Sequence, residues 1–121
     1  MKIIVAGSRL YDNISVISHI MEDYLGEITE VVSGAAKGVD ACGERWAEMN
    51  NLPIRRFIAE WDRYGRAAGP IRNGAMADYA DMAVVFYDPE MSVGSANMIE
   101  QMKKRGKPVK EIHVNIKSPY K

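Results

Sequence analysis

Five short runs with strand character alternate with helical patterns along most of this chain of 121 residues. Strands are predicted at residues 2–6, 30–33, 53–58, 81–87 and 108–116, and the nearly all-apolar run at 2–6 is typical of a strand that is covered on both faces. Between them, apolar residues recur at the three- and four-residue spacing of helices. This alternation predicts an α/β fold with a single doubly wound, mostly parallel five-stranded sheet and helices on both faces.

Four helices are predicted between these strands. Asp12 is the expected N-cap of the first helix, the second spans residues 39–49, and Pro70 suits the first turn of the third. Gly106 is expected to close the fourth helix at its C-terminus. Residues 59–69 form the longest stretch without a pattern, and loops of that length are often functional. The predicted apolar face of the third helix consists of Ile71, Ala75, Met76 and Tyr79.

Composition limits the classes of partner. Sixteen basic and sixteen acidic residues cancel, so no global positive field gathers nucleic acid, and a nucleic-acid partner is not expected. The single cysteine, Cys42, excludes an intrachain disulfide, fits a reducing compartment and is expected in the core. His19 and His113 are expected to be structural, and no metal site is predicted.

Length and hydropathy predict one domain over residues 1–116, followed by a frayed tail at residues 117–121. No apolar run approaches the length of a membrane span, and Met1 and Lys2 lead directly into the first strand instead of a signal peptide. The expectation is therefore a cytoplasmic protein without a membrane partner.

Residues 33–40 (SGAAKGVD) join the second strand to the second helix and suggest an anion site. Gly34 and Gly38 lack a Cβ, so backbone N–H groups there can approach a phosphate closely. The helix that begins at Val39 directs its positive end to the same place, and Lys37 adds a charge. The alternative is that the two glycines only make a tight turn.

Similar polar segments follow the other strands, and the carboxyl ends of parallel strands share one edge of a sheet. The guanidinium groups of Arg63, Arg66 and Arg72 suit phosphate. Arg72 is the first candidate to face the site, Arg63 the second and Arg66 the third. Trp61 either stacks on a base or covers the sheet edge, and the core role is favoured. The predicted ligand-binding residues are Gly7, Ser8, Arg9, Ser33, Gly34, Ala35, Lys37, Gly38, Asp40, Arg63, Arg72, Asn73, Asp88, Ser92, Gly94 and Ser95.

Each of these residues also has a structural alternative. Arg9 either contacts a phosphate or makes a surface ion pair. Asp40 either binds ribose hydroxyls or simply favours the dipole of its own helix. Ser92 and Ser95 are helix caps, an anion cradle, or both.

The chain resembles the YspA/cpYpsA-related branch of the SLOG superfamily in four segments that occur in one order. They are GSR at residues 7–9, SGAAKGVD at 33–40, WDR at 61–63 with GPIRN at 69–73, and SVGS at 92–95. This superfamily of Rossmann-like nucleotide-binding domains also includes the DNA-processing protein DprA and the Lonely Guy phosphoribohydrolases. The resemblance implies a nucleotide or nucleotide-derived, ADP-ribose-like ligand, no required cofactor, and a homo-oligomer of two or more copies.

The comparison with Lonely Guy enzymes leaves catalysis open. Their Arg-Lys-x-x-Met segment is partly matched by residues 72–76 (RNGAM). Their Pro-Gly-Gly-x-Gly-Thr-x-Glu-Glu segment can be aligned by placing its Gly-Thr on Gly94 and Ser95. Asn97 and Met98 then stand where those enzymes have two glutamates, and neither side chain is a general acid or base.

Three functions therefore remain open from the sequence. The favoured one is binding of a nucleotide-type ligand for sensing, sequestration or processing. The first alternative is a nucleotide N-glycosidase that uses Asp40, Asp88 or Glu60 in place of the missing glutamates. The second alternative is a DprA-like module for nucleic acid or a protein partner.

Overall fold

The computed structural model describes residues 1–91 and 93–116, so Ser92 and the predicted tail at residues 117–121 lie outside the described residues. All strand pairings in the five-stranded sheet are parallel, and the strand order is β3-β2-β1-β4-β5. This arrangement confirms the predicted doubly wound α/β fold. The strands are β1 (Lys2–Gly7), β2 (Glu30–Ser33), β3 (Ile54–Arg56), β4 (Met82–Tyr87) and β5 (Val109–His113).

The helices are α1 (Ile14–Met21), α2 (Val39–Met49), α3 (Trp61–Tyr64), α4 (Ala68–Tyr79) and α5 (Val93–Lys104). The expectation of an irregular segment at residues 59–69 is wrong, because α3 and a 3-10 turn at Gly65–Ala67 lead directly into α4. A single helical turn is too short to show a periodic pattern in the sequence. Within the described ranges, no helix combines the length and apolar character needed to cross a bilayer.

Two hydrophobic cores lie on opposite faces of the sheet. Helices α1 and α2 cover one face, where Trp46 and Met21 pack with Ile3 and other strand residues. Helices α4 and α5 cover the other face, where Met76 and the apolar residues of α5 pack against alternate strand positions such as Ile4. Successive residues of a strand point to opposite faces, so each apolar strand contributes to both cores.

The ends of two helices show how local sequence sets the boundaries. Asn13, not Asp12, caps α1, since its Oδ1 accepts a hydrogen bond from the Val16 N–H at 3.2 Å. Gly106 ends α5 as predicted, with φ at +67°. The N–H groups of Gly106 and Lys107 bind the carbonyl oxygens of the last helical turn at 3.0 Å, a Schellman arrangement.

The predicted apolar face of α4 is only partly correct. Met76 is buried and Tyr79 is half-buried, but Ile71 and Ala75 are exposed. The buried residues of α4 are Met76 and four small or polar residues, among which Asn73 donates a hydrogen bond to Asn97 of α5. A pattern of apolar residues alone does not reveal such a contact.

The chain order reverses across the sheet between β1 and β4. From β1 the chain proceeds outward to β2 and β3, then returns to the other side of β1 with β4. In parallel α/β sheets, this reversal opens a crevice beyond the carboxyl ends of the two strands. The loop after Gly7 therefore lies at the mouth of the crevice.

Candidate functional site

A cavity of about 530 Å³ opens at this crevice. Its volume falls in the range of small-molecule sites. The described residues that line it are Ala6, Gly7, Ser8, Arg9, Leu10, Gly34, Ala36, Asp40, Trp61, Arg66, Gly69, Pro70, Arg72, Asn73, Met76, Met91, Gly94, Ser95, Asn97 and Met98.

Three helices begin at this cavity. Asp40 lies in the first turn of α2, Gly69 and Pro70 in the first turn of α4, and Gly94 and Ser95 in the first turn of α5. The first N–H groups of a helix have no partner within the helix, and the helix dipole is positive at that end. Helix α4 offers fewer free N–H groups than the others, because the Ala68 N–H donates to the Gly65 carbonyl oxygen and Pro70 has no N–H. The convergence of the three positive helix ends favours an anionic ligand.

The charged side chains of the cavity are mostly positive. Arg9, Arg66 and Arg72 line it, and Asp40 is the one acidic residue among its described lining residues. The neutral net charge of the whole chain therefore conceals a local excess of positive charge. That excess attracts phosphate or carboxylate groups.

Hydrogen bonds hold Arg72 in place across the cavity floor. Its Nη1 donates to the Gly34 carbonyl oxygen at 2.5 Å, and its Nε donates to Asn73 Oδ1 at 3.0 Å. Asn73 Nδ2 in turn donates to Asn97 Oδ1 at 3.1 Å. Burial lowers the pKa of Arg72, Asp40 opposes that shift and Arg9 adds to it. An arginine pKa is high enough that the guanidinium remains charged.

Asp40 is a buried carboxyl group, 5% exposed, beside these arginines. Its Oδ2 accepts a hydrogen bond from the Ala36 N–H at 3.2 Å. Burial is the main cause that raises the pKa of Asp40 from 3.8 to about 6, while the Ala36 N–H and the charge of Arg72 oppose the rise. Asp40 can therefore exchange a proton close to neutral pH.

Three N–H groups of the glycine turn and the start of α2 donate hydrogen bonds within the chain. The Ala35 N–H donates to Ser33 Oγ at 3.1 Å, and the Ala36 N–H donates to Asp40 as described above. The Val39 N–H donates to the Ser8 carbonyl oxygen at 3.1 Å. The backbone cradle expected from the sequence is thus filled in part by the protein's own oxygen atoms.

The two glycines of this turn make room for other parts of the chain. A Cβ on Gly34 would lie 2.8 Å from both Arg72 Nη1 and Asp40 Oδ2. Gly38 has φ at +73°, and a Cβ there would lie 2.4 Å from the Ser8 carbonyl oxygen. These contacts support the tight-turn interpretation of both glycines, and they place Gly34 beside the charged groups of the cavity.

The structure brings together many, but not all, of the predicted ligand-binding residues. Those in the cavity lining are Gly7, Ser8, Arg9, Gly34, Asp40, Arg72, Asn73, Gly94 and Ser95. Within the described part of the chain, those outside the lining are Ser33, Ala35, Lys37, Gly38, Arg63 and Asp88. Ser92 lies outside the described residues.

The predicted residues that lie elsewhere have other contacts. Arg63 is exposed and pairs with Glu60 at 3.5 Å. Asp88 is buried and accepts hydrogen bonds from the N–H groups of Glu90 and Ile116 at 3.0 and 3.1 Å, so it links the turn after β4 to the chain beyond β5. Lys37 is exposed on the turn before α2.

Trp61 is the main residue that sequence reasoning placed wrongly. It is 50% exposed and lines the cavity, so the favoured core role is incorrect. The guanidinium carbon of Arg9 lies 5.8 Å from the centre of its ring. Leu10, Arg66 and Met91 also line the cavity without having been selected, although Leu10 directly follows the GSR motif.

No group of three or more His, Cys, Asp and Glu side chains in residues 1–91 and 93–116 is placed to hold a metal ion. Of the three carboxyl groups considered as replacements for catalytic glutamates, Asp40 lines the cavity, whereas Asp88 and Glu60 do not. Asn97 and Met98, at the positions of those glutamates, are both in the lining.

The fold defines a Rossmann-like domain, and positive side chains line the crevice at the carboxyl ends of its strands. The model of the YspA, cpYpsA-related SLOG family matches residues 1–64, and the chain belongs to that family. This family assignment confirms the resemblance drawn from the motifs.

The chain is similar to a curated phage protein and to a solved bacterial structure. The Gene 61 protein of Mycobacterium phage D29 is 27% identical, over 89% of this chain and 93% of the phage protein. The structure of DNA processing protein A (DprA) from Streptococcus pneumoniae superposes with a TM-score of 0.77 at 22% identity, over 95% of this chain. The chain spans about half of DprA, 51% of its length, and this likeness shows the fold.

Proposed function

We propose that the protein binds a nucleotide or a nucleotide-derived, ADP-ribose-like small molecule in the cavity, for sensing, sequestration or processing. The proposal rests above all on the convergence of three helix N-termini and three arginines on one cavity at the carboxyl ends of β1 and β4. Membership in a Rossmann-like SLOG family supports a nucleotide-type ligand.

The phosphate position is proposed near Arg72, between the first turns of α4 and α5. Two of the five guanidinium N–H groups of Arg72 bind Gly34 and Asn73 in the described part of the chain, which fixes the plane of the group. The remaining donors of this fork match two phosphate oxygens. Gly94 has open space beside its Cα, so a phosphate can approach the α5 backbone there.

The test compares two arginines from neighbouring parts of the chain. Arg72→Ala is expected to weaken nucleotide binding by about 2–4 kcal/mol, since a desolvated charge contact is lost, and Arg72→Lys is expected to weaken it less. Arg63→Ala removes the same charge from an exposed position outside the cavity lining and serves as the control.

Affinities for a panel of nucleoside phosphates and ADP-ribose are measured by calorimetry, with melting temperatures to verify folding. Unchanged affinity in folded Arg72→Ala, or an equal loss in Arg63→Ala, contradicts the proposed phosphate position. Absence of binding by the native protein across the whole panel contradicts the proposed function. Strongly salt-dependent binding of single-stranded DNA favours the DprA-like alternative instead.

A second candidate, hydrolysis of the bond between ribose and base, is favoured by one observation. Asp40 lines the cavity and has a pKa of about 6, which suits a general acid or base near neutral pH. Release of free base from a nucleotide, lost in Asp40→Asn, supports this activity. Stoichiometric binding without any released base contradicts it.

A further inference from the structure

The cavity has an inner part and an opening. The inner part combines the polar side chains of Arg72, Asp40 and Asn73 with the buried apolar side chains of Met76 and Met98. At the opening lie three large apolar side chains, Leu10, Trp61 and Met91, which are 63%, 50% and 40% exposed. Large exposed apolar residues that line the same cavity indicate a surface that a ligand covers.

We propose that Leu10, Trp61 and Met91 form a nucleobase subsite, in which the base stacks on the Trp61 indole while the phosphate lies inside near Arg72. This inference rests on the proposed function and assigns the orientation of the ligand. A base has a flat aromatic face, which an indole ring binds by offset stacking. The apolar groups are continuous with the cavity lining, so one ligand can contact both parts.

The surroundings of Trp61 hold its ring at the opening. A Cβ on Gly69 would lie 3.3 Å from the Trp61 Cη2 atom, so the ring edge contacts the start of α4. Arg9 lies over the ring at 5.8 Å, within the distance of a cation–π contact. A guanidinium group close to both the ring and the cavity can bind a phosphate or the ribose of a ligand whose base stacks beside it.

Stacking of this kind tolerates every base, because each base presents an aromatic face. The subsite therefore predicts a preference for nucleotides over sugar phosphates, with only modest selectivity among bases. Purines are expected to bind somewhat better than pyrimidines, since their larger rings cover more of the indole.

The test uses AMP and ribose 5-phosphate, which differ only in the base. The native protein is expected to bind AMP roughly tenfold more tightly than ribose 5-phosphate, consistent with one stacked base. Trp61→Ala is expected to abolish that difference without weakening ribose 5-phosphate, and Trp61→Phe is expected to restore most of it. Tyr64→Ala removes a neighbouring exposed aromatic ring outside the cavity lining and is the control.

Fluorescence gives a second, independent measurement. The only other tryptophan of the sequence, Trp46, is 1% exposed in the core, so iodide ions quench mainly Trp61. AMP is expected to protect Trp61 from iodide, whereas ribose 5-phosphate is not. The spectrum of Trp61→Phe provides the background from Trp46.

The possible failures can be told apart. Equal, Arg72-dependent binding of AMP and ribose 5-phosphate overturns the base subsite and leaves the phosphate site intact. Absence of binding of both probes overturns the subsite together with the phosphate site. A lower particle mass of Trp61→Ala in light scattering, with unchanged affinity for AMP, overturns the subsite and assigns Trp61 to a contact between copies of the chain.

Discussion

The buried carboxyl group of Asp40 makes the stability of the protein depend on pH in a direction that can be worked out. Burial raises its pKa from 3.8 to about 6 in the folded protein. Between these two values the folded protein holds a proton that the unfolded chain has released. The contribution of Asp40 to the free energy of unfolding is therefore fully present below pH 3.8 and is lost as pH rises through about 6. A shift of this size corresponds to about 3 kcal/mol, at about 1.36 kcal/mol for each pKa unit.

Asp40→Asn removes this titration while keeping an oxygen that can accept the Ala36 N–H. We expect the difference in free energy of unfolding between the native protein and the variant to change by about 2 kcal/mol from pH 4 to pH 7, in favour of the variant at pH 7. Urea denaturation at several pH values measures this difference. Other titrating groups are common to both proteins and cancel in the comparison.

Asp62→Asn is the matched control, because Asp62 is exposed and lies outside the cavity lining. Its unfolding free energy should follow that of the native protein at every pH. A difference between Asp40→Asn and the native protein that stays constant from pH 4 to pH 7 refutes the reasoning, since the Asp40 carboxyl then titrates alike in the folded and unfolded states.

Two further predictions concern the glycines and the oligomeric state. Gly38→Ala is expected to lower the free energy of unfolding by about 1–3 kcal/mol, because it places a Cβ against the Ser8 carbonyl oxygen at a positive φ. Gly94→Ala is expected to raise the free energy of unfolding by up to about 1 kcal/mol, because Gly94 lies in a helix with open space beside it. Thermal and urea unfolding test both, and a Gly38→Ala variant as stable as Gly94→Ala would show that the φ argument is wrong. The homo-oligomer implied by the family resemblance predicts a mass of at least twice 13.5 kDa in light scattering, and a monomer at all practical concentrations removes that prediction.

The sequence determined the elements that have strong local signals. Strand β2 and helix α2 begin and end where predicted, because a charged residue, two glycines and two asparagines mark their boundaries. The carboxyl edge of the sheet followed from the alternation of strands and helices. Arg72 could be selected because a Gly-Pro pair opens its helix near that edge.

The direction of individual side chains could not be predicted in the same way. Trp61 and Arg66 belong to single helical turns, which are too short for a periodic pattern to show which side faces the cavity. Asp88 follows a strand as expected, yet its carboxylate binds the N–H of Ile116, and a contact over that sequence separation leaves no local signal. The engagement of the Ala36 N–H by Asp40 is likewise visible only in three dimensions.

The position of the cavity has a consequence for the mechanics of the domain. Helix α2 belongs to the layer on one face of the sheet, and helices α4 and α5 belong to the layer on the other face. All three contribute residues to the cavity, so a single bound anion would act as a non-covalent cross-link between the two layers. A ligand that binds only the folded state stabilises it by mass action, and here the added stability would extend to both cores at once. Binding of a ligand in this crevice would then reduce the motion of the helix layers on both faces of the sheet.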